Sequence, residues 1–320
     1  MSAAQSAPPP PPLTLTLVSI PFSHYNIYAA WALERAGLRV TRLVRVLPLL
    51  HLPVMPALYW WHGAAPRAAD RTSSPLGTPV LFARGGAGAG AATRALRSSG
   101  EIVAFADSAA AAAGGGGGGG AVGGGRARAP PLAPAEALAE REFVAACEER
   151  LGPAARTWAY SFVLYDARAL LSLARCAGPV TGLCWVLLSP LLALGLRSAL
   201  RVWGQEARRR ASEACLREEF ARASARLAVP LEGGGARRFF FGDSFGPADL
   251  AFAALGFYAI GLSAQDVASG ALRGVAFSPS LEAFPAAHRN FALEMRATPA
   301  GQHILRMVSE ERGRRGSSSS

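Results

Sequence analysis

Lysine is missing from this sequence altogether. The 33 basic residues are all arginine, set against 22 acidic ones, for a formal charge of +11. With the surplus of alanine and glycine, this reads as a compositional bias of the source genome rather than selection for phosphate contacts. A nucleic-acid-binding face gathers its basic residues into a stripe interleaved with aromatics. Here they are scattered, and the densest run, Arg208-Arg209-Arg210, is flanked by Glu206 and Glu213. That is the pattern of a solvated helix face, so nucleic acid is not an expected partner.

Cysteine is scarce too. Cys147, Cys176, Cys184 and Cys215 show no C-x-x-C spacing and are too sparse for a disulfide scaffold. They read as buried, reduced thiols. The five histidines are dispersed without an H-E-x-x-H pattern, and no metal is expected. Met1 to Pro12 is proline-rich, with no charged segment ahead of an apolar one and no arginine. Neither a secretory signal nor a plastid address is expected from it, and the proline run reads as an extended tail. The expected location is cytoplasmic, with plastid or membrane association as open alternatives. Charge is absent from Pro179 to Leu196, a length at which membrane spans begin. Pro190, Gly182 and Gly195 interrupt it, and Arg197 and Arg201 follow, so a buried helix or helix pair is the preferred reading.

What is present is a long chain with 51% hydrophobic and 17% charged residues, enough for a sizeable core and two domains. Leu13 to Val18 alternates like a strand. After Pro21-Phe22-Ser23 the pattern turns helical and closes at Gly37, a residue suited to a left-handed cap. Ser23 thus falls at the mouth of a helix N-terminus, where free N–H groups and the helix dipole favour an anion. Val40 to Leu47 reads as a second strand, Leu49 to Ser74 as an irregular, proline-broken connection with one short helix, and Thr78 to Ala83 as a third strand. Gly85 to Thr93 is a flexible loop. Leu96 to Asp107 reads as a strand end and a helix capped by Ser98 or Ser99.

Asp107 to Pro134 is almost wholly Ala, Gly and Pro and reads as a linker. Beyond it the pattern is helical: Ala135 to Leu151, Ala154 to Leu173, Trp203 to Leu227 with Leu216, Phe220, Ala223 and Leu227 on one face, Phe245 to Leu262, and Phe284 to Glu311. Gly246, Pro247 and Asp249 form a helix start, with Asp249 able to reach back to the cap backbone. Gly242-Asp243-Ser244-Phe245-Gly246 fits a G-x-S-x-G elbow, and Asp266 and His288 follow in the order of a hydrolase triad. The helical flanks and the lack of an oxyanion loop speak against that reading. Gly86-Ala87-Gly88-Ala89-Gly90-Ala91 matches a dinucleotide fingerprint only as any glycine-rich run does.

Several of these motifs together resemble the glutathione S-transferase family. They are Pro21-Phe22-Ser23-His24-Tyr25 with Trp31-Ala32-Leu33-Glu34-Arg35-Ala36-Gly37, Thr78-Pro79-Val80-Leu81, Ser98-Ser99-Gly100-Glu101-Ile102, Gly242 to Leu255, and Arg296-Ala297-Thr298-Pro299-Ala300-Gly301. The resemblance implies an α/β thioredoxin-like N-terminal domain plus an all-α C-terminal domain. Its expected boundaries are a disordered tail over 1–12, the glutathione-binding domain over 13–107, a linker over 108–134, the helical domain over 135–312, and a disordered tail over 313–320. It implies a cis peptide before Pro79. It also implies glutathione as co-substrate, held by Ser23, His24, Thr78, Pro79, Ser98 and Ser99, with Ser23 activating the thiol and Tyr160 and Arg156 on the acceptor side.

The activity implied is conjugation of the glutathione thiolate to a small apolar electrophile, as in detoxification, by a homodimer. A catalytically silent relative that binds ligands or acts as a scaffold is the other reading. Two departures stand out. Asn26 occupies the second position of a redox C-x-x-C, and Ser98 occupies an acidic residue's place.

Overall fold

The computed structural model describes residues 13–20, 23–46, 51–64, 78–85, 93–114, 132–163, 183, 186–187, 205–230, 237–261, 263, 266 and 281–312. Several sequence readings lie outside these residues: the tails 1–12 and 313–320, Pro21 and Phe22, most of the loop 85–93, the linker from 115 to 131, the helix beyond Val163, Cys176, Cys184 and most of 179–196. The chain divides into two compact units, one of Met1–Ile20 with Ala32–Gly116, the other of Pro21–Trp31 with Gly117–Ser320.

The first unit holds a four-stranded sheet in the order β2-β1-β3-β4, from β1 (Thr14–Ser19), β2 (Arg42–Arg45), β3 (Val80–Arg84) and β4 (Arg94–Leu96). β1 pairs in parallel with β2 and antiparallel with β3, and β3 is antiparallel to β4. β3 is a nearly continuous apolar run and β1 alternates threonine with leucine, yet the inner residues of both are buried on both faces. Thr78–Pro79 is a cis peptide, as the family resemblance implied.

Helix α1 (His24–Arg35) ends as the sequence indicates. Gly37 has φ +72°, its N–H reaches Glu34 O at 3.1 Å, and Leu38 N–H reaches Leu33 O at 2.9 Å. This is a Schellman ending, and it needs a residue free to adopt positive φ. Helix α2 (His51–Trp61) is longer and more regular than the prolines suggest. Pro53 falls in the first turn, where an N–H has no partner to lose, and Pro56 gives up one bond. Tertiary burial compensates, because Met55 and Tyr59 pack with Val18, Val46, Val80 and Phe82. Helix α3 (Ser99–Gly114) runs on past Asp107, so the expected linker begins later than 108.

In the second unit, α4 (Pro134–Ala146) passes through a π-helical turn, Cys147–Leu151, into α5 (Gly152–Val163). Where the sequence suggests two helices, the backbone stays helical throughout, and Gly152 N–H bonds back five residues to Cys147 O. Pro153 supplies the reason: it has no N–H for the carbonyl four residues back, so the wider turn takes over. Helix α6 (Gln205–Ala228) buries Leu216, Phe220 and Ala223 as the period predicts. Its arginine run is a salt-bridged surface, with Arg209 and Arg210 on Glu206 and Arg209 on Glu213.

Helix α7 (Pro247–Ile260) is buried at every residue from Ala248 onward. A helix apolar all round must be central. It is packed by α4, α5, α8 (Ala286–Ala297) and α9 (Pro299–Arg306), and α6 reaches it through Phe220 against Phe252. Two aromatic groups fill the space: Trp158, Phe162, Phe284 and Phe291 in one, Phe143, Phe220, Phe240 and Phe252 in the other.

The start of α7 is fixed by Asp249, which is fully buried. Its Oδ1 accepts from Phe240 N–H at 3.0 Å and its Oδ2 from Gly246 N–H at 2.9 Å, and His303 Nε2 lies 2.9 Å from Oδ1. Ser244, Asp266 and His288 do not form a triad. Asp266 is held by Ser263 and Arg296. Ser161 Oγ donates to Trp158 O at 2.6 Å, so His288 Nε2 donates to Ser161 at 2.9 Å.

Candidate functional site

Ser23 is the N-cap of α1. Its carbonyl accepts from Asn26 N–H at 3.0 Å and Ile27 N–H at 3.2 Å, and its side chain is half-buried. The first turn of α1 contains no acidic residue. The positive end of the helix dipole is therefore not neutralised by α1 itself.

His24 opens the helix and is only 1% exposed. Its Nε2 lies 3.0 Å from Gly152 O, so Nε2 carries the proton and Nδ1 is the bare nitrogen. Its pKa is lowered to about 3, chiefly by burial, then by the Arg156 charge, with the Gly152 bond opposing. His24 is thus a neutral anchor tying the start of α1 to the start of α5. Tyr28 stands one turn on, near Glu148 of the π turn, and burial holds that carboxyl above its usual range.

Tyr25 stacks obliquely on His24 at 4.3 Å between ring centres, and the Arg156 guanidinium lies 5.9 Å from its ring centre. Gly152 is needed here, since a Cβ at that position would meet Tyr25 Oη at 2.8 Å. Tyr258 meets His24 edge-on at 5.2 Å. Arg156 and Tyr160 stand one turn apart on α5 and are both exposed. The structure thus brings His24, Tyr25 and Arg156 together at the mouth of α1. The positive field of Arg156, which disfavours a proton on His24, favours an anion at the same mouth.

Protonation of His24 makes stability depend on pH. Above pH 6.5 neither the folded nor the unfolded chain holds this proton. Below it the unfolded chain takes up a proton that the native chain refuses until about pH 3. Native stability should therefore fall with a slope of about 1.4 kcal/mol per pH unit from this group as pH drops through that window. His288, lowered to about 4 mainly by burial, adds a slope of the same sign. Urea midpoints measured between pH 7 and pH 4 should decline, and His24→Gln, which keeps a donor and removes the titration, should flatten the decline. An unchanged slope in that variant would contradict this account.

The remaining sequence-derived residues belong to the first unit. Thr78 is half-buried and Pro79 buried at the start of β3. Val18 pairs with Val80, and Leu81 with Leu96. The end of β1, the cis peptide and the turn after β4 therefore lie at the same end of the sheet.

Ser98 rather than Ser99 caps α3: its Oγ accepts from Glu101 N–H at 3.1 Å. Glu101 Oε2 in turn accepts from Arg97 N–H at 2.8 Å, and Ser99 is buried in the first turn. Arg97 is buried, with its guanidinium 5.3 Å from the Tyr59 ring centre. Glu101 thus places a carboxylate within the same turn as Ser98. The S-x-x-E spacing was its sequence signal. Gly152 and Tyr258 had no such local signal. No group of three potential metal ligands occurs among the described residues.

A cis-proline strand in a β2-β1-β3-β4 sheet, followed by an all-helical second half, decides the architecture. The fold is glutathione S-transferase-like. No protein-family model matches the chain, and no curated protein does. Among solved structures it is similar to a glutathione S-transferase from Xanthobacter autotrophicus, at 14% identity over 94% of this chain and 95% of that one, with a TM-score of 0.47. A tau class glutathione S-transferase from mango, Mangifera indica, is similar at 14% identity over 93% and 96%, with a TM-score of 0.42. So is a maleylacetoacetate isomerase from Anaeromyxobacter dehalogenans with bound GSH, at 16% identity over 94% and 98%, with a TM-score of 0.40.

Proposed function

We propose that the protein binds glutathione through the Ser23 turn and conjugates it to a small apolar electrophile. The observation that carries this reading is the mouth of α1: an N-cap serine, a first turn without acid, and Arg156 beside it. A free thiol titrates near 8.5, so at neutral pH it needs help to ionise. A hydroxyl that donates to sulfur, together with the helix dipole and a nearby guanidinium, stabilises the thiolate. The thiol proton leaves to solvent. The sulfur lone pair then forms the C–S bond as the leaving group departs with its electrons.

In this reading Thr78 offers backbone to the peptide beside cis-Pro79, Ser98 and Ser99 with Glu101 receive the γ-glutamyl end, and Arg156 and Tyr160 face the acceptor. His24 acts by holding the turn in place. The working form is a homodimer located in the cytoplasm.

A silent, ligand-binding relative is the second reading, favoured by one observation: Ser98 Oγ is already committed to the Glu101 N–H. Calorimetric titration with glutathione, followed by a conjugation assay with a chloronitroaryl electrophile, separates the two. Binding with turnover supports the transferase, binding alone supports the silent form, and absence of binding removes both glutathione readings.

A further inference from the structure

Helix α2 contains no acidic or basic residue apart from His51, and the side it turns to solvent is apolar. Val54, Pro56, Ala57, Trp60 and Trp61 are exposed, Trp60 at 82% and Trp61 at 71%. The other side, with Met55 and Tyr59, is used up against the sheet. Two adjacent indoles in water at the end of an uncharged helix make a contiguous surface feature rather than scattered apolar residues.

Among the described residues, the charges that act at the tryptophan end of α2 are of one sign. Arg42 registers on Thr16 and Arg84 on Thr14, so both lie on the same sheet face as Phe82, which also registers on Thr16. That is the face carrying α2. His62, directly after Trp61, stacks on Phe82 at 4.3 Å. Burial lowers its pKa first, and the Arg42 and Arg84 charges lower it further, which places both guanidiniums at the tryptophan end of α2. Arg42 and Arg84 are exposed and make no ion pair among the described residues.

We propose that this end of α2 docks the protein on an anionic bilayer surface, with Trp60 and Trp61 in the headgroup layer and Arg42 and Arg84 against lipid phosphates. Indole favours the boundary between water and acyl chains, and an apolar helix side can lie in it without crossing. Arginines held beside that plane add attraction to anionic lipid, and the +11 charge of the chain acts at longer range. No helix among the described residues is long and apolar enough to cross a membrane, so attachment at this patch is to the surface. A second copy of the chain is the weaker occupant, because a two-fold contact would press the same arginines toward each other. This inference is independent of the glutathione reading.

The test is co-sedimentation of the full chain with vesicles of phosphatidylcholine alone or with about 30% phosphatidylglycerol, at about 0.05 M and about 0.5 M salt. Binding is expected on the anionic vesicles at low salt. Trp60→Ser with Trp61→Ser should weaken it about ten-fold, and Arg42→Gln with Arg84→Gln should weaken it and reduce its salt dependence. Melting curves verify that the variants fold, and brominated lipid should quench the wild-type fluorescence whether or not they do. Absence of binding to anionic vesicles, or equal binding by the tryptophan variant, overturns the proposal. So does a dimer in sedimentation equilibrium that the tryptophan changes dissociate, because a second copy then covers the face.

Discussion

Asp249→Ala should cost the helical half about 3–5 kcal/mol, because it strips a buried acceptor from two backbone donors and from beside a buried imidazole. The Phe240 and Gly246 N–H groups donate to this one fully buried carboxylate, and His303 Nε2 lies 2.9 Å from its Oδ1. Phe240 and His303 are themselves buried, so neither can turn to water. Gly246 offers no side chain, so the reach-back from Asp249 is what holds the start of α7. Against a total stability of about 5–15 kcal/mol, the loss is a large share. A fall in the urea midpoint at unchanged slope would show it. Asp249→Asn keeps one carbonyl oxygen and should fall between the two. A loss below about 1 kcal/mol would mean that the two backbone donors find other partners.

Ser23→Ala is expected to lower kcat/KM for conjugation by about 10- to 100-fold at neutral pH, the worth of one hydrogen bond to an anion, about 1.5–3 kcal/mol. The pH profile distinguishes activation from structure. If the hydroxyl stabilises the thiolate, its removal moves the acid limb of the profile upward by one to two pH units, about the same free energy expressed as a pKa. Activity should recover at alkaline pH, where the thiol ionises unaided, and Ser23→Thr should retain most of it. A serine that only caps α1 would give a lower melting temperature with the acid limb unmoved. The His24 ring takes no part in that limb, because it remains neutral down to about pH 3.

The features legible in the sequence were those written in neighbouring residues. Gly37 closes α1, Ser98 caps α3, and Gly246-Pro247-Asp249 opens α7, each through contacts within a few positions. The cis peptide at Thr78–Pro79 came from the family resemblance, not from any local signal. Helix α2 was less legible, because its prolines argue locally against a helix while Met55 and Tyr59 argue for one only once the sheet lies beneath them. His24 shows the same limit within the candidate site. The family resemblance implied that His24 holds glutathione, and no local signal announced that its Nε2 meets a carbonyl 128 residues away. Arg156 was read as facing an acceptor, and its nearness to Tyr25 at the mouth of α1 depends on that same distant pairing.

The π turn at Cys147–Leu151 works as a phase shifter. One additional residue per turn advances every following side chain by about 100° around the helix axis. Before it, α4 has no buried residue; after it, α5 drives Ala155, Trp158 and Phe162 into the core. The same advance aims Gly152 O at His24 and leaves Arg156 and Tyr160 on the open side. A deletion within the turn would restore an ordinary α-helix and swing all of these positions together, so the anchoring of α1 and the packing around Trp158 are set by a single local choice of helical pitch.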